Sequence, residues 1–171
     1  MKKFFSLFVG FLFFGIATFL ILAPAIVDDG ANVVVAHQPY EISERAAALH
    51  SSLLVGDWHA DSLLWMRDLT EQYDYGHLDF PRMQQGNMAL QMFTTVTKSP
   101  SGQNYKRNSS DASDNITLLA MTQRWPVATW TSLAERALFQ ADKLHELADR
   151  DPENLMLIRS RDELADYLQR R

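Results

Sequence analysis

The chain has 171 residues and no cysteine, so it has no disulfide framework and no thiolate to bind a metal or attack a substrate. Lys2 and Lys3 are two of its 16 Lys+Arg, so the part beyond residue 27 carries 14 against 21 Asp+Glu, a formal charge of −7. That balance excludes a nucleic-acid binder held by a basic surface, and it leaves His, Asp and Glu as the only strong metal ligands.

Residues 4–27 contain no charge and seven of the ten phenylalanines. As a helix these 24 residues would reach roughly 36 Å, enough to cross a hydrocarbon core of about 30 Å. Lys2 and Lys3 precede the run and Asp28 and Asp29 follow it, which predicts a cytoplasmic N-terminus and an extracytoplasmic (periplasmic) remainder. Ala23-Pro24-Ala25 matches an A-x-A cleavage site, but the apolar stretch before it is longer than the usual h-region of about 7–15 residues. Residues 1–27 are therefore read as a signal anchor in preference to a cleaved signal peptide, and both imply export. N-terminal sequencing separates them, since cleavage leaves a chain that starts near Ile26.

Residues 28–40 read as a linker, and residues 41–171 as the exported domain. The pattern over 41–52 is helical, with Ala46, Ala47 and Leu49 apolar and Glu41, Glu44 and Arg45 wet. Leu53-Leu54-Val55 then runs into Gly56-Asp57 as a buried strand. Asp79 can cap a short helix with Pro81 in its first turn, and Gly86 can end it. Residues 88–96 form a second apolar run with strand character, and 98–114 are a polar loop. Ser132 and Glu135 have capping-box spacing and open a helix to about Ala148, with Leu133, Ala137, Leu144 and Leu147 inward. Residues 155–158 read as a short extended segment. Ser160 and Glu163 open a last helix that runs to Arg171. Strand, helix, strand, helix predicts an α/β sheet of βαβ units.

The chemistry concentrates in Asp57-Trp58-His59-Ala60-Asp61. Side chains alternate on an extended backbone, so residues 57, 59 and 61 share a face. An imidazole nitrogen and a carboxylate oxygen from His59 and Asp61 could hold one cation such as zinc. The bland alternative is a surface loop with a hydrogen-bonded histidine. His77-Leu78-Asp79 repeats the spacing, but its aspartate is better used as a helix cap, so it is read as structural. His37, His50 and His145 have no carboxylate at useful spacing and are expected to face solvent.

Residues 53–61, Leu-Leu-Val-Gly-Asp-Trp-His-Ala-Asp, resemble the opening strand of the membrane dipeptidases, the renal-dipeptidase-like metallopeptidases, whose motif is an apolar strand ending D-G-H-N-D. His77-Leu78-Asp79-Phe80-Pro81-Arg82-Met83 with Gly86 is similar to that family's short D-x-P-R-L…G helix. Residues 88–93, with Gln91 before the aromatic end, resemble its second strand, and 155–160 the approach to its next one. The resemblance spans about 44–171, with its motifs in the family's order. It implies a (β/α)8 TIM-type barrel, here its N-terminal portion, with two zinc ions and hydrolysis of dipeptides. On it, His59 and Asp61 are metal ligands and Asp57 supports them from behind. Trp58 and Ala60 stand where the family has Gly and Asn, neither a ligand position.

The family's bridging glutamate and later histidines would lie beyond Arg171. The chain is accordingly expected to be the first part of a dipeptidase, neither stably folded nor active by itself. Competing expectations are an amidohydrolase-type metal hydrolase, which favours H-x-H over this H-x-D, and a non-enzymatic membrane-tethered binding module with an acidic surface.

Overall fold

A computed structural model describes residues 2–170 as a mixed helix and strand protein preceded by one long apolar helix. That helix, α1 (Lys2–Ala31), continues four residues past the apolar run, so the expected linker begins as helix. Its long exposed apolar part is long enough to span a membrane or to be a signal sequence. The C-terminal end is different: Ala23 and Asp28 are buried against the rest of the chain.

After an irregular stretch, Ser43 caps α2 (Glu44–Ser52) by accepting a hydrogen bond from the Ala46 N–H at 3.2 Å. No residue of α2 is buried, and the predicted apolar side, Leu49 included, is uncovered. β1 (Val55–Ala60) begins two residues later than the apolar run suggested, leaving Leu53 and Leu54 exposed. The Asp79 carboxylate caps α3 (Phe80–Gln85) from the Arg82 N–H at 2.8 Å, with Pro81 in the first turn. Gly86 ends α3 as expected, yet at φ −83°, and it is Asn87 that takes the left-handed conformation, φ 52°. Asparagine tolerates that region better than most side chains.

β2 (Met88–Phe93) lies parallel to β1, pairing Val55 with Met88, Gly56 with Leu90, Asp57 with Gln91 and Ala60 with Phe93. The βαβ connection through α3 was thus legible from the alternation of patterns, and two strands make the whole sheet among the described residues. Residues 115–131, for which the sequence pattern predicts no element, contain α4 (Asn115–Thr122) and a short 3-10 turn (Val127–Trp130). The Ser132 hydroxyl caps α5 (Leu133–Arg150) at the Glu135 N–H, 3.2 Å, as its spacing predicted. Residues 155–158 join no strand. α6 (Arg161–Arg170) returns to the sheet, its Tyr167 hydroxyl donating to the Ala89 carbonyl at 2.8 Å.

The inward side of α5 departs from expectation. Leu147 is buried and Leu144 packs on the core, but Leu133 is half-exposed, and the fully buried positions above Leu147 are Arg136 and Gln140. The Gln140 amide accepts from the Val96 N–H and donates to the Val96 carbonyl, both at 3.1 Å, as a neighbouring strand would.

Two apolar clusters share the interior. One joins Leu63, Leu69, Phe80 and Leu147; the other joins Leu64, Ile116, Ala120 and Trp125. Leu63 and Leu64 belong to one 3-10 turn (Ser62–Leu64) immediately after Asp61. Adjacent residues plugged into separate clusters give that turn little freedom, and so they fix the end of β1 where the candidate ligands sit.

Candidate metal centre

His59 lies at the end of β1, and Asp61 occupies the position just before the turn that follows. The strand does not alternate regularly to that point. Between the Asp57–Gln91 and Ala60–Phe93 pairs, β1 uses one residue more than β2, a bulge at positions 58 and 59. A bulge breaks the two-residue alternation and re-aims side chains. Trp58 and His59 are both exposed in consequence.

The pair nevertheless meets. His59 Nε2 is 3.3 Å from Asp61 Oδ1 and 3.4 Å from Oδ2. Donors bound at about 2.0–2.1 Å around a tetrahedral zinc lie about 3.3 Å apart, so this spacing fits two neighbouring zinc ligands. It also fits a weak hydrogen bond between an imidazole and a carboxylate. The histidine side chain is 69% exposed and the aspartate side chain 42%, so both are open to an incoming ion.

Asp57 and Asp61 have distinct supports. Asp57 Oδ1 accepts from the His59 backbone N–H at 3.3 Å, which restrains the backbone inside the bulge. The Asp57 carboxylate thus acts on the position of His59 through the main chain. Asp61 Oδ1 accepts from the Thr94 hydroxyl, and the Thr94 N–H donates to the Ala60 carbonyl at 3.0 Å. Thr94 therefore carries the pairing of the strands one step past β2 and orients the second candidate ligand. Sequence reasoning missed it, because a threonine after a strand has no distinctive spacing. The available signal was its placement one residue past Phe93, level with Asp61 in a parallel pair.

Gln91, on β2 opposite Asp57, donates to the Met92 carbonyl at 3.0 Å, while its buried Oε1 has no partner. An acceptor in that state is a place for a donor from a ligand or a water.

The other histidines lie elsewhere. His37, His50, His77 and His145 are exposed, and Asp79 is committed to the α3 cap and to an ion pair with Arg82. Among the described residues no third imidazole or carboxylate joins His59 and Asp61. In comparison with known proteins, no family model, no curated protein and no solved structure matches the chain.

Proposed function

We propose that residues 41–171 are the opening part of a zinc-dependent dipeptidase barrel, exported and tethered by α1. The observation that carries this reading is the 3.3 Å approach of His59 Nε2 to Asp61 at the C-terminal end of a strand in a parallel βαβ unit. That end of the strands is where α/β barrels place their chemistry. His59 and Asp61 would hold one zinc through an imidazole and a carboxylate, with Thr94 orienting the carboxylate and Asp57 restraining the histidine's backbone. Bound zinc in a two-metal site polarises the scissile carbonyl and makes water more acidic. The order of the resembling motifs, strand, short capped helix, strand, is the second support.

Zinc content and dipeptide hydrolysis should be measured on a chain that continues through the later barrel strands. His59→Ala and Asp61→Asn are each expected to release zinc and to lower kcat/KM at least about a hundredfold, the order set by losing a metal ligand. Undiminished zinc and activity in both variants would overturn the assignment. A second reading, a membrane-tethered acidic module that binds a partner, draws on the solvent exposure of the pair and the −7 charge beyond residue 27. It expects no zinc-dependent hydrolysis.

A further inference from the structure

Three contacts run up the C-terminal end of α1 and onto Asn32, the residue just past it. The Gln123 side-chain amide donates to the Pro24 carbonyl at 3.0 Å, Arg67 pairs with Asp28 in a fully buried contact, and the Gly76 N–H donates to the Asn32 carbonyl at 2.8 Å. Positions 24 and 28 are one helical repeat apart, about 6 Å, and Asn32, whose N–H donates to the Asp28 carbonyl at 2.8 Å, closes the next turn. They form a ladder that sets the height of each docked segment along the helix axis. Residues 4–23 are 20 apolar or neutral residues, about 30 Å of helix, which matches the hydrocarbon thickness. Pro24 then falls at the edge of the hydrocarbon, and Gln123 is pinned at that depth.

The turn at Gln123 has the composition for that position. Its backbone is a Schellman-type stop, with the Trp125 N–H donating to the Ala120 carbonyl at 2.8 Å and the Arg124 N–H to the Met121 carbonyl at 3.1 Å. Such a stop favours glycine, yet here Arg124 takes the left-handed conformation, φ 55°, with its side chain exposed. Trp125 plugs into the core, while Val127, 70% exposed, and Met121 stay outside. Two apolar side chains flank one exposed cation level with Pro24.

We propose that α1 is retained and that the turn 121–128 rests on the bilayer surface facing the domain, with Met121 and Val127 among the first acyl carbons below the headgroups and Arg124 on lipid phosphate. The domain is then held against the membrane in one orientation, by a rigid ladder instead of a free tether. The proposal is independent of the dipeptidase reading.

The absence of cysteine makes the test direct, since one introduced thiol is unique. The full chain is placed in phosphatidylcholine–phosphatidylglycerol vesicles containing acyl-brominated lipid, and bimane is attached at Val127→Cys or, as an aqueous reference, at Ser109→Cys in the loop beyond the far end of α4. Ala120→Cys, at a fully buried site, reports whether α4 is docked. Bimane at Val127→Cys should be quenched by brominated lipid, and the thiol of unlabelled Val127→Cys should react with a water-soluble maleimide about tenfold more slowly than that of unlabelled Ser109→Cys, as an interfacial group does. Arg124→Ala should weaken the quenching, and intact mass should include residues 1–27. Equal quenching at the two positions, free reaction of Ala120→Cys, or a chain starting near Ile26 would each overturn the proposal.

Discussion

Arg136 and Asp114 are joined by an ion pair in which every N–H of the guanidinium is used. Its Nε donates to the Thr129 carbonyl at 2.6 Å, one terminal nitrogen to Asp114 and to the Thr97 carbonyl at 2.7 Å, and the other to the Thr117 hydroxyl at 2.8 Å and the Trp130 carbonyl at 3.0 Å. Asp114 in turn caps α4, accepting from the Ile116 N–H at 3.1 Å. One buried side chain of α5 thus ties the end of the 98–114 loop, the start of α4 and the 3-10 turn into a single unit.

Arg136→Ala should therefore destabilise the fold by about 3–5 kcal/mol, because it leaves a carboxylate and three carbonyls without their donor. Arg136→Lys should recover only a small part of that, since an ammonium cannot reproduce the planar fork. Denaturant unfolding in detergent measures both. A loss below about 1 kcal/mol for the alanine variant would mean that the loop and α4 hold together by other means.

Acid should loosen the contacts at both ends of α5, Arg136 with Asp114 and Arg150 with Asp68. Burial by itself would raise the Asp68 carboxyl, but hydrogen bonds from Arg150 and from the Thr70 N–H and hydroxyl outweigh it and hold the pKa at about 2. Burial likewise opposes ionisation of Asp114, yet Arg136 and the Ser99 and Ile116 N–H groups hold it below the ordinary carboxylate value. Carboxyls depressed in the folded state contribute stability that is present above the unfolded pKa near 4 and lost as pH falls through the folded pKa. The unfolding midpoint should drop steeply between about pH 4 and pH 2, and Asp68→Asn should flatten part of that slope. An identical acid profile in the variant would contradict the assignment.

Lys143 predicts a gain in stability at alkaline pH. Burial and then repulsion from Arg67 push its ammonium down from 10.5 to about 8, although it donates to the Trp65 carbonyl. Between those values the unfolded chain binds more protons than the folded one, so stability rises with pH. The unfolding midpoint should increase from about pH 8 to 9.5, and Lys143→Met should abolish that increase. A flat profile in the parent chain would show that the ammonium stays charged where it is.

Thr94 offers a test of the candidate centre that does not touch a ligand. Thr94→Val removes the hydroxyl donor to Asp61 with little change in volume, and it should weaken zinc binding about 10–100-fold, the usual effect of removing a group that orients a ligand. Thr94→Ser keeps the donor and should bind like the parent. Calorimetric titration with zinc distinguishes them, and equal affinity in all three would show that Thr94 does not orient the carboxylate.

What the sequence determined by itself was whatever depends on neighbours along the chain. The apolar run of α1, the Asp79, Ser132 and Ser160 caps, and the strand–helix–strand order all follow from local periodicity and from side chains that bond the backbone three residues away. The H-x-D spacing of His59 and Asp61 belongs here too, since two residues of chain suffice to bring their side chains within reach. Tertiary structure decided the rest. The bulge that exposes Trp58 and His59 exists only in the register against β2. Thr94 reaches Asp61 across 33 residues, and Arg136 is buried because distant carbonyls and a carboxylate consume its donors. Composition alone would place an arginine on the surface, because the cost of burying its charge is visible in the sequence and the partners that offset it are not.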